Sequence, residues 1–149
     1  MKRAEVRAFI ESGITAINAD GNNIAFNSGR ITEFNSNRSN TYPYVWLESL
    51  SVDNDLLNSL PINNWNIAIH VAKKDHIDSK PEQYEVIIDD CDLIAQKLIK
   101  KYNDVVSGYK LITITGSSRE PFIKKHADLT TGVVLSFVLN DPDTTNLCE

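Results

Sequence analysis

Four neighbouring residues in "EVIIDDCDLIAQ", residues 85–96, could do chemistry: Asp89, Asp90, Cys91 and Asp92. Thiolates and carboxylates bind metals, and a cysteine beside a base can act as a nucleophile. Either use needs the groups to converge on one point. On a helix they diverge. Cys91 shares an apolar stripe with Ile87, Ile88 and Ile94, whereas Asp89 and Asp92 lie three apart on the polar side. A buried cysteine flanked by solvated acids is therefore expected, ahead of a carboxylate contact to a partner subunit and of a metal. The histidines, His70, His76 and His126, show no HExxH spacing. Structural or surface roles are expected for them. A Cys91–His70 nucleophilic pair requires the helix to cover the face on which His70 lies.

"GSSREP", residues 116–121, is the one phosphate-like stretch. Glycine, two serines and Arg119 after a strand could cradle an anion. It lacks the lysine and second glycine of a P-loop, and Pro121 argues against a helix starting there. A polar turn is the expected reading, and a small anion- or nucleotide-binding module is kept as an alternative. Arg119, Lys124 and Lys125, with Lys100, Lys101 and Lys110, suggest one basic region. Tyr42, Tyr44, Trp46 and Trp65 could stack on bases, but no flanking Arg/Lys pattern accompanies them. Core or interface packing is expected instead.

These residues belong to a chain of 149 residues, 42% hydrophobic and 23% charged, which predicts a single globular domain over 1–149. Its formal net charge is −5, from 15 basic and 20 acidic residues. That balance gives no general reason to bind a polyphosphate backbone, and favours an acidic neighbour for the basic region. Cys91 and Cys148 lie far apart, without metal-ligand spacing or a disulfide framework, which predicts a reducing compartment. Glu5, Arg7 and Glu11 interrupt the apolar run that a signal peptide would need, and no stretch approaches membrane-spanning length. A soluble intracellular product is expected; a protein released by lysis would read the same.

The elements follow from periodicity. Val6, Phe9, Ile10, Ile14 and Ile17 make residues 2–18 an amphipathic helix, with Gly13 on the stripe where a neighbouring backbone could approach. Residues 19–41 are Asn-rich, and predict either a long loop or a weak hairpin of "NIAF" and "RITEF". "NRS" at 37–39 matches a glycosylation sequon without a secreted context. Residues 42–50 and 64–75 alternate as strands, with "SVDNDLLNSLP" as a connection that includes at most a short helical turn. Residues 81–102 predict the longest helix, capped by Ser79 with Glu82, acidic early and carrying Lys97, Lys100 and Lys101 late. "YKLITITG" is a strand, "SSREPFIKKHADLTT" a polar connection, and "GVVLSFVLNDP" the last strand. The layered solution is an α/β (α+β) fold: one mixed or mostly antiparallel sheet with helices packed mainly on one face.

The N-terminal helix, "YPYVWLES", "WNIAIHVAKKD", the "EVIIDDCDLIAQKLIKKY" helix, "YKLITITG" and the strand opening "ADLTTGVVLSFVLNDP" come in a recognisable order. That layout resembles the tail terminator (tail completion) proteins of long-tailed bacteriophages. It is most similar in texture to members from prophages of the Bacteroidetes group, whose short polar tail carries a late cysteine, as Cys148 does here. The likeness covers most of the chain from residue 42 onward and rests on texture rather than on signature motifs.

The resemblance implies a structural virion protein, made in the host bacterial cytoplasm. It would form a homohexameric ring at the head-proximal end of the tail tube. Its partners would be the tail tube protein and the head–tail connector, with DNA passing through the ring as the only nucleic-acid contact. Neither enzymatic activity nor a cofactor, metal or membrane goes with that role. A head–tail joining component is the nearest alternative. The residues expected at the subunit interface are Phe26 and Phe34 from the Asn-rich segment, the acidic face Glu85, Asp89 and Asp92, and the basic group Arg119, Lys124 and Lys125.

Overall fold

A computed structural model describes residues 1–30, 43–57, 60–108, 112–125 and 129–142. Helix α1 (Arg3–Ala19) leads into β1 (Ala25–Gly29), β2 (Tyr44–Glu48), β3 (Ser51–Leu57) and β4 (Leu60–Lys74). Helix α2 (Pro81–Val106) follows, then β5 (Thr113–Lys125) and β6 (Thr130–Pro142). The strands form one mixed sheet in the order β1-β2-β4-β6-β5, with β3 pairing along the remaining length of β4. Among the described residues only β1 and β2 run parallel; the other pairs are antiparallel.

Helix α1 forms because its stripe has somewhere to go. Val6, Ile10, Ile14 and Ile17 are all buried against the sheet and α2. Each such burial contributes roughly 1.5–3 kcal/mol. That outweighs the ~1 kcal/mol a mid-helix glycine costs. Gly13 has a reason to be there: a Cβ at that position would collide with the Tyr102 ring. The approach lets the Tyr102 hydroxyl donate to the Ile10 carbonyl oxygen at 2.8 Å. A side chain, rather than a backbone, fills the space that Gly13 leaves.

Helix α2 buries Cys91, Ile94, Ala95, Leu98, Tyr102 and Val106. It starts at Pro81 as expected, but the cap is Lys80 rather than Ser79, and the Lys80 N–H donates to the Gln83 side chain, not Glu82, at 2.9 Å. It also runs on to Val106, so Lys97, Lys100 and Lys101 fall short of the last turn, which holds no basic residue.

On the sheet, Trp65, Ile67, Ile69 and Val71 of β4 and Val133, Leu135, Phe137 and Leu139 of β6 face the helices. Val45 and Leu47 of β2 join them, while Tyr44 and Trp46 point to the far face. The helices therefore pack on one face of a mixed sheet, as the periods demand.

Three stretches differ from their expected form. "SVDNDLL" is strand β3, hairpinned to β4 from Leu57↔Leu60 to Ser51↔Asn66. "SSREPFIKK" continues β5 instead of looping. An edge strand leaves one side of its backbone to solvent, so polar residues and Pro121 cost little there. "NIAF" contributes to β1, but β1 pairs in parallel with β2 rather than in a local hairpin, and most of "RITEF" lies outside the described residues.

The strand pair β2–β3 is one path with an irregularity. Pairing to β4 stops at Leu47↔Ile69 and resumes at Ser51↔Asn66. Glu48, Ser49 and Leu50 thus oppose Ile67 and Ala68, the extra residue that bends a strand at a β-bulge.

Candidate functional site

The acidic cluster sorts by direction, as helical geometry requires. Cys91 is fully buried, its Sγ 3.9 Å from the Thr131 carbonyl oxygen. Burial pushes its thiol up to about 12, so it stays protonated and unreactive at neutral pH. Asp90 turns one way and accepts from Lys73 of β4 at 3.0 Å. Asp92 turns the other way and accepts from Arg119 of β5 at 2.7 Å and from Gln96 at 2.8 Å. Asp89 and Glu85 are exposed. Among the described residues, no group of three or more His, Cys, Asp or Glu side chains is placed to hold a metal ion.

His70 lies on the far face of the sheet, its ring 5.8 Å from that of Phe122, and its Nε2 meets the Glu48 carboxylate. The sheet separates it from Cys91, so these two cannot act as a pair. His126 lies outside the described residues.

"GSSREP" is not a cradle between a strand and a helix. Gly116 sits at φ +64°, beside a register shift between Thr115 and Ser118, and pairing with β6 then resumes. Positive φ suits glycine and lets the edge strand bulge. The Arg119 guanidinium is directed to Asp92 rather than into a phosphate-sized hollow.

Two of the sequence-predicted interface residues meet within the chain itself. Arg119 from the basic group and Asp92 from the acidic face bind each other within one chain. Lys124 adopts φ +49°, donates through Nζ to the carbonyl oxygens of Ile77 and Ser79 at 2.9 Å each, and sits 5.7 Å from the centre of the Tyr84 ring. Lys101 pairs with Asp20 at 3.2 Å. Phe26 is half-buried against the main core. Phe34, Cys148 and Lys110, and the side chain of Lys125, lie outside the described residues.

The aromatic group also divides. Tyr44 and Trp46 are buried on the far face, ring centres 6.3 Å apart, and Trp46 Nε1 donates to the Gly29 carbonyl oxygen at 3.2 Å. Trp65 is in the main core on the helix side. Rings so placed are packing elements, with no open face for a base. Tyr42 lies outside the described residues.

Two features went unread in the sequence. The first is Asp75, just past β4 and buried. Thr131 Oγ1 donates to its Oδ2 at 2.6 Å and the His76 N–H to its Oδ1 at 2.7 Å. Burial opposes its charge, yet the hydrogen bonds from Thr131 and His76, helped by the Lys124 charge, hold the carboxyl below its ordinary value.

The second is a cavity of about 380 Å³ between the start of α1, the end of β1 and the β2–β3 irregularity. Arg3 and Arg7 line it together with Ala4, Ser28, Ser49 and Leu50. Both arginines are exposed. The signal available was their i, i+4 spacing on the polar side of α1, which puts two like charges side by side.

No helix of the described chain is long and apolar enough to cross a membrane. No protein-family model matches the chain, and no curated protein matches it.

Proposed function

We propose that this chain is a structural virion subunit that assembles into a ring on the head-proximal end of a phage tail tube, ends tube growth and meets the head connector. The observation that carries the reading is the one-sided layering. Both helices cover one face of the sheet, and the sheet ends in two unlike lateral edges, β1 and β5. A ring needs two different, complementary surfaces on each copy, because a heterologous contact closes only when one patch meets another on the next subunit. Unlike edges on opposite sides of one sheet supply that geometry. The order of helix, strands, long helix and two closing strands is also the order on which the tail terminator resemblance rests.

Phage made without the protein test the reading. Electron microscopy should show overlong or uncapped tail tubes that fail to join heads. Tails of normal length attached to heads would remove the capping role.

A further inference from the structure

We propose that the acidic outer ridge of α2 in one copy seats in the Arg3–Arg7 groove of the next copy, joining opposite edges of successive sheets. This contact rests on the ring reading above for its symmetry, and it replaces the Arg119–Lys124 surface as the basic half of the interface.

Consider first which charges are already satisfied. Arg119, Lys124, Lys73 and Lys101 are each engaged within the chain. Arg3 and Arg7 have no ion pair and no hydrogen bond among the described residues. Arg3 is held with its guanidinium carbon 5.7 Å from the centre of the Trp65 ring, which orients it and leaves its edge donors uncommitted. Both arginines stand in the first turns of α1, where the helix dipole disfavours positive charge. An arriving carboxylate would relieve the mutual repulsion of the arginines and that unfavourable placement together. Glu48 also lines the groove, but its carboxylate is engaged by His70.

The acid side is equally defined. Asp90 and Asp92 are committed to Lys73 and Arg119. Glu85 and Asp89 are exposed and unpaired among the described residues. Glu85 precedes Asp92 by two helical turns and so lies on the side that faces β5. Val86 and Leu93, 58% and 52% exposed, stand beside them on the same ridge. A helix ridge of acids and large aliphatics is complementary to a groove of two arginines with Ala4 and Leu50 along its wall.

Position decides the symmetry. The arginine groove abuts β1 and β2 at one lateral edge of the sheet, and the acidic ridge leans over β5 at the other. Contacts between opposite edges repeat head to tail.

Charge exchange tests this on the purified full chain. The pairs Arg3→Glu with Arg7→Glu, and Glu85→Lys with Asp89→Lys, should each weaken self-association at least tenfold by sedimentation, while circular dichroism shows both variants folded. Mixing the two variants should restore assemblies built from even numbers of copies. A second measurement uses Arg7→Cys with Asp89→Cys in a Cys148→Ser background. Oxidation should give a ladder beyond the dimer, since each copy links to two different neighbours. Dimers alone would mean that α2 packs against its own copy, and would overturn the contact. So would wild-type association in the arginine variant, or a wild-type chain that stays monomeric at millimolar concentration. Tail length in phage lacking the protein judges the capping role separately.

Discussion

The two faces of the sheet obey different rules. The helix-covered face is a continuous apolar layer in which Val71, Val133, Leu135, Ile69 and Leu139 are each at most 2% exposed. The far face is divided along its length. One end packs Tyr44, Trp46, Ala72 and Phe122 into a small second cluster. The other presents Asn66, Ala68, Ser136 and Val138, all only partly covered. The helix face also tolerates charge only at its two ends. Asp75 sits under the start of α2, and Asp141 meets the N-terminal amine of Met1. Stability resides on the helix-covered face and in the small second cluster, while the open end of the far face is free to vary. The difference teaches where substitutions should matter, and five of them, in four tests, probe it.

The comparison should break first at Gly132. Its missing side chain belongs to the far face, between Ala72 and Phe122 of the small cluster, so apolar patterning alone predicts that an aliphatic side chain would fit. A Cβ there would instead collide with the Val71 carbonyl oxygen of the neighbouring strand. Backbone cannot yield as a flexible side chain can. Gly132→Val should therefore cost more than about 4 kcal/mol, at the exceptional end of single substitutions. Denaturant unfolding, or the loss of soluble folded protein, measures it. A stable, cooperative Gly132→Val variant would remove the constraint.

Leu135 and Val138, three apart on β6, sharpen the contrast on a single strand. Leu135→Ala empties a site fully enclosed by helix and sheet, and should cost about 2–5 kcal/mol. Val138→Ala trims a half-exposed side chain and should cost less than about 1 kcal/mol. Equal losses in urea unfolding would mean that something covers the far face at Val138 as thoroughly as α2 covers Leu135.

This contrast explains what the sequence could disclose. Strands β4 and β6 are paired on both sides and buried on one face, so alternation was unmistakable in "WNIAIHV" and "VVLSFVL". Strands β3 and β5 are edge strands. Pairing on one side admits Asp53, Asn54, Ser117 and Pro121, and such residues imitate loops. The α2 stripe gave away the burial of Cys91 because the period alone places it. The pairing of Asp92 with Arg119, 27 residues away, depends on strand register and bulge position, for which local pattern carries no signal. Asp75 was missed for a similar reason: its partner Thr131 is 56 residues distant.

Asp75 probes the polar end of the helix face. Its carboxyl titrates lower in the folded chain than in the unfolded one. The stabilisation is therefore complete above the unfolded value, near pH 4, and fades as pH falls through the folded value. Asp75→Asn should lose about 1.5–3 kcal/mol at pH 7, the scale of hydrogen bonds to a charged group. It should also flatten the fall in stability with acid below about pH 5. Parallel pH profiles for the variant and the parent chain would show that the acid sensitivity arises elsewhere.

A similarly small effect to that at Val138 is expected at the Arg119–Asp92 pair, on the rim where α2 overhangs β5. Its side chains are 39% and 28% exposed, so solvent screens the charges and the ordering of the long arginine side chain offsets much of the attraction. Arg119→Ala should cost no more than about 1 kcal/mol, and less in high salt. The pair matters more for what it withholds. With Arg119 bound to Asp92, neither is left to meet another subunit, whereas Glu85 and Asp89 on the same ridge stay available. Arg119→Ala frees Asp92 and adds one uncompensated carboxylate to that ridge. If the ridge meets arginines on the next copy, association measured by sedimentation should strengthen slightly in Arg119→Ala, even as the isolated chain loses stability. A joint weakening of fold and association would instead make Arg119 itself part of the subunit contact.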